Sequence, residues 1–192
     1  MAWNREQLGD PAGSASALSW SISAMTDTID RLSSVSARHQ PRAFAVIGEA
    51  VWWVTIVDAT LVRYHPEAYD KVLARRTPAR RELIEGTLAG LRFVRNRMGY
   101  DADQVDFVRP LAADLGRAGD EITAWRWKSV PEPALDSLSP RGRAWEVTRY
   151  RAYEESLAGH TVGEVFTRAA EFLNLAAAAA PSVTASSARA RQ

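Results

Sequence analysis

The sequence predicts an all-α protein, an up-and-down helical bundle with one short extended segment near residues 121–130. Three observations lead there. Apolar residues recur at three- and four-residue steps over long stretches, prolines and glycines fall where those stretches stop, and the helical period fades between Tyr100 and Pro140, where Glu121–Val130 reads as extended. At 192 residues with 46% hydrophobic content the chain suits one domain, placed at 14–180, that can bury a core. The flanks, 1–13 and 181–192, lack periodicity and read as mobile tails.

The first helix is expected from about Ser16 to Arg38, with Leu18, Ile22, Met25, Ile29 and Leu32 on one face and Gln40-Pro41 ending it. A second runs from about Pro41 to Tyr64. Its apolar run from Phe44 to Val57, broken only by Gly48, Glu49 and Thr55, marks it as the central helix. His65-Pro66 stops it, and Glu67 to Leu73 forms a short helical turn within the connection. Thr77-Pro78 supplies an N-cap and a first-turn proline for a third long helix reaching Met98, with Gly99 placed to end it. The extended segment lies between Gly119 and the pair Pro131 and Pro133. It needs a partner, whether in a small hairpin, across the bundle or on a second subunit. Helices resume at about Arg143–Ala158 and Val162–Ala179, and Thr161 followed by Glu164 fits a capping box. Five helices with short links make a bundle.

Composition narrows the function. With 24 basic against 23 acidic residues the net charge is +1, so any nucleic-acid contact must be local. There is no cysteine, hence no disulfide, thiolate nucleophile or Cys-ligated metal. The N-terminal residues carry charges where a signal peptide needs an apolar core, and no run of 18 apolar residues occurs, so the expected location is the cytoplasm, away from membrane. No glycine-rich phosphate loop, Gly-x-Ser-x-Gly elbow or His-Glu-x-x-His sequence is found. His39, His65 and His160 each sit at an expected helix end without a metal-site spacing, so neither metal nor other cofactor is expected. Trp52-Trp53 and Trp125-Arg126-Trp127-Lys128 read first as core or interface, with base stacking as the competing use. Arg92, Arg95 and Arg97, with acidic neighbours, read as a solvated mixed surface.

One constellation carries chemistry. On a helical wheel the third long helix aligns Ile84, Leu88, Leu91 and Met98, and Arg95 falls within that stripe. A permanently charged guanidinium there needs a carboxylate, carbonyls, a ligand phosphate or a neighbouring subunit. The second helix likewise sets Asp58 amid Ile47, Val51, Val54 and Leu61. A hairpin turning near residue 71 puts Arg95 level with Ile47, about 16 Å along the axis from Asp58, which argues against a direct pair within the hairpin.

Arg95-Asn96-Arg97-Met98-Gly99-Tyr100 resembles the Arg-Asn-x-x-x-His motif of the HEPN superfamily, and the stretch Ala43–Tyr100 carries the likeness. The resemblance implies a HEPN-like bundle with the motif at the C-terminal end of a helix and Asp58 as the inward acid of the preceding one. It also implies a homodimer with two motifs at its interface, a cognate protein partner, and a defence or toxin–antitoxin role as a metal-independent ribonuclease or RNA-binding protein. By the same resemblance Arg95 stabilises phosphate charge, Asn96 places substrate or caps the helix, and Tyr100 contacts ribose or the scissile phosphate. Tyr100 stands where the family has histidine, and a phenol with pKa about 10 is a poor neutral-pH acid–base group. The alternative is therefore a catalytically inactive HEPN-like interaction protein, antitoxin-like, immunity-type or a phage accessory.

Overall fold

The computed structural model describes residues 11–35, 40–100, 107–110, 125–132 and 138–180. These residues form six helices and one two-stranded sheet: α1 (Pro11–Leu32), α2 (Gln40–Tyr64), α3 (Pro66–Ala74), α4 (Pro78–Tyr100), β1 (Val108–Pro110), β2 (Trp125–Trp127), α5 (Pro140–Ser156) and α6 (Val162–Ala179). The protein is mainly helical, as its periodicity requires. Residues 1–10 and 181–192, most of the expected N-terminal tail and all of the C-terminal one, lie outside the described residues.

Proline and hydroxyl chemistry set most boundaries. α1 starts at Pro11 rather than Ser16, a proline in the first turn losing no helical hydrogen bond, and it stops at Leu32 rather than Arg38. There Ser33 and Ser34 turn their hydroxyls back onto the carbonyls of Asp30 and Arg31. The turn expected within the hairpin connection is a full helix, α3, again with proline at its start. Thr77 caps α4, its Oγ1 accepting from the Arg80 amide at 3.3 Å. Gly99 does not end α4, which continues through it to Tyr100. At α6 the capping box is complete: Thr161 Oγ1 accepts from the Glu164 amide, and the Glu164 carboxylate accepts from the Thr161 amide at 3.0 Å.

Residues 121–124 of the expected extended segment lie outside the described residues, and the described part pairs with a second short strand. Val108, Arg109 and Pro110 pair antiparallel with Trp127, Arg126 and Trp125. The other edge of β2 is occupied too, because the Trp127 amide donates to the His160 carbonyl and the Gly159 amide donates to the Trp127 carbonyl, both at 3.0 Å. Gly159, at φ 82°, makes the α5–α6 turn that presents these groups. Both strand tryptophans are buried, Trp127 against the rings of Tyr153 and Phe166, so the two indoles are core.

α4 packs antiparallel between α2 on one flank and α5 on the other. α6 is the common partner, touching α1, α2, α3, α4 and β2, and it buries Val165, Phe166, Ala169, Phe172, Leu173 and Ala176. α2, marked as central by its apolar run, likewise touches α1, α3, α4 and α6. Its outer face is exposed, with Phe44, Trp52 and Val62 reaching solvent. Among the described helices only α2 is long and apolar enough to cross a membrane, and half of that stretch is buried inside the protein.

Candidate functional site

Asp58 points inward as the helical wheel requires and is fully buried, among Val54, Val57 and Leu61. Its partner is not Arg95. The Arg92 guanidinium forms an ion pair with Asp58 Oδ2, and the Tyr69 hydroxyl of α3 donates to Oδ1 at 3.1 Å. Three elements therefore meet on one carboxylate, and Tyr69 stands edge-on to Phe172 of α6 at 4.9 Å between ring centroids. Burial raises the Asp58 pKa above the usual carboxylate value, opposed in part by Arg92 and Tyr69. Burial, and then the adjacent Asp58 charge, push the Tyr69 phenol upward. Arg92, read from the sequence as part of a solvated basic group, is thus a structural cation. The signal was available, since Arg92 precedes Arg95 by three residues and shares its side of α4.

Arg95 leaves the apolar stripe sideways. Its guanidinium carbon sits 4.5 Å from the centroid of the Trp52 ring, within cation–π range, and Trp52 is 49% exposed. Ile84, Leu88 and Leu91 of the same stripe are buried, whereas Arg95 and Met98 are only partly so. Gly48 lets Met98 come close, because a Cβ there would meet Met98 Cε at 2.9 Å. Arg95 faces Trp52 and not Ile47, a five-residue offset (52 − 47) from simple hairpin counting. α3, inserted in the connection, moves the turn point along the chain.

Asn96 turns to the other flank of α4. Its Nδ2 donates to Glu146 Oε2 of α5 at 3.3 Å, and Arg149 Nη1 approaches the same oxygen at 3.5 Å. Glu146 is 7% exposed, a buried carboxylate whose role the sequence did not suggest. The Arg149 guanidinium also lies 5.9 Å from the centroid of Trp145, itself 57% exposed. The structure thus turns Arg95 toward α2 and Asn96 toward α5 and joins neither to Asp58. The side chain of Tyr100 lies outside the described residues.

His65 occupies the N-cap position of α3 without a capping bond from its side chain, and His160 lies in the α5–α6 turn. Along their helices these stand about 20 Å from the levels of Trp52 and Glu146, so neither reaches Arg95 or Asn96. His39 lies outside the described residues, among which no group of histidine and acidic side chains could hold a metal ion. The chain matches no protein-family model, and no curated protein or solved structure matches it at a significant level.

Proposed function

We propose that the chain is a HEPN-like helical protein of a defence or toxin–antitoxin type system, working as a cytoplasmic homodimer that binds RNA through the Arg95 face. The observation carrying this reading is the Arg95 guanidinium stacked over the exposed Trp52 indole. An aromatic face with an adjoining cation offers one surface to a base and one charge to the neighbouring phosphate, which suits unpaired nucleotides. The Arg-Asn pair near the end of α4, preceded by a helix with an inward acid, adds support from the family resemblance.

Binding is better supported than cleavage. The Asn96 amide is committed to Glu146, no described histidine reaches Arg95, and position 100 carries a phenol in place of imidazole. A second reading, an inactive HEPN-like protein that docks a cognate protein, draws on Phe44 and Val62 exposed along α2.

Fluorescence anisotropy with labelled oligouridine in EDTA and low salt tests the proposal. Trp52→Ala and Arg95→Ala should each weaken binding about tenfold, in line with the loss of one base stack or one close cation. Arg95→Ala should also lower the slope of log affinity against log salt by about one. Wild-type protein that fails to bind, or binds as well as both variants, overturns the RNA reading. Total RNA incubated with wild type in EDTA should stay intact, and Tyr100→His is the variant in which cleavage should appear.

A further inference from the structure

We infer that Trp145 and Arg149 of α5 form a second stacking subsite for the same RNA strand, on the opposite flank of α4 from Trp52 and Arg95. This inference rests on the RNA-binding reading above.

The two pairs share one chemistry, an exposed indole with a guanidinium over or beside it: Trp52 with Arg95 at 4.5 Å and Trp145 with Arg149 at 5.9 Å. They are also linked. Arg95 and Asn96 are successive residues of α4, Asn96 donates to Glu146, and Glu146 holds Arg149. A row of polar and aromatic groups therefore crosses from α2 over α4 to α5. Packed helices stand about 8–10 Å apart, so two platforms on either side of one helix suit separate bases of a single strand and not one nucleotide.

Burial explains why the second pair is prearranged. Glu146, at 7% exposure, is fixed between Asn96 and Arg149, so the Arg149 side chain is anchored on its protein side while its neighbour Trp145 stays 57% exposed. Trp145 sits one turn from Arg149 on α5, the spacing at which helical side chains meet. Trp145, at 57% exposure, leaves much of its ring open to a base. A duplex would present its bases only by edge, so the site is one for unpaired RNA.

Anisotropy with oligouridine in EDTA distinguishes this from the parent proposal. Trp145→Ala should weaken binding about tenfold, and Trp145→Tyr, which keeps an aromatic face, should restore most of the affinity. Thermal unfolding of both variants should match wild type because the side chain is exposed. If Trp52→Ala weakens binding while Trp145→Ala stays within about twofold of wild type, the second subsite is overturned and the Arg95 face stands. If wild type does not bind oligouridine at all, both fall together. Equal loss of affinity for oligouridine and for an oligouridine–oligoadenosine duplex on Trp145→Ala would also overturn it, since stacking needs unpaired bases.

Discussion

At the scale of single residues, Asp58 is the most consequential side chain. Its native pKa is raised, so the folded state keeps its proton to higher pH than the unfolded chain does. Stability from this group is therefore fully present below the ordinary carboxylate pKa and declines as pH rises through the interval up to the native value. Above that interval the ionised carboxylate depends on Arg92 and Tyr69. Replacing Arg92 with alanine leaves a buried charge without its counter-ion, a loss of about 3 kcal/mol near neutral pH, the low end for such pairs because Arg92 reaches solvent. Urea unfolding at neutral and acidic pH should show that loss shrinking in acid, where Asp58 takes up a proton. A loss independent of pH would mean that Arg92 acts through packing alone. The inward direction of Asp58 was legible from apolar spacing alone. Its partner was not, because α3 both shifts the hairpin register and contributes Tyr69, and neither follows from the periodicity of α2 and α4.

At the scale of elements, caps and close approaches set the geometry. Thr161→Ala removes the oxygen that accepts from the Glu164 amide and should cost about 1 kcal/mol, read as a lower midpoint in chemical unfolding. The Thr161 amide donates to the Glu164 carboxylate, and this holds its pKa below the usual value. That contribution is present above the ordinary carboxylate pKa and is lost as pH falls through the lowered one. Gly90 allows α4 and α5 to touch, since a Cβ there would lie 2.6 Å from Leu157 Cδ1 and 3.0 Å from the Tyr153 Cα. Gly90→Ala should cost about 1–3 kcal/mol despite the better helix propensity of alanine, because backbone cannot move aside as a flexible side chain can. The capping box and the proline starts were visible in sequence because their signals are local. The partner of β2 was not, because Val108-Arg109-Pro110 is too short for a strand pattern and its pairing is fixed across a long intervening segment.

At the scale of the whole molecule, α6 holds the bundle together. Phe172→Ala, which empties a buried site touching Tyr69, should cost about 3–5 kcal/mol and lower one cooperative transition rather than create a second. Calorimetry or circular dichroism melting reads this directly, and two separated transitions would mean that the hairpin of α2 and α4 stands apart from α6. Helical content and the run of elements were readable from spacing. That α6 shares the centre with α2 was not, since its alanines and two phenylalanines form a quieter apolar face than the run in α2, whose outer side the molecule leaves to solvent.

The order of synthesis gives the composition of α2 a further meaning. This long greasy helix leaves the ribosome before Arg92 can neutralise Asp58 and well before α6 arrives to cover its inner face. A nascent chain halted between those points would display a bilayer-length apolar rod with the Asp58 carboxylate still unpaired, a species suited to chaperone capture or aggregation.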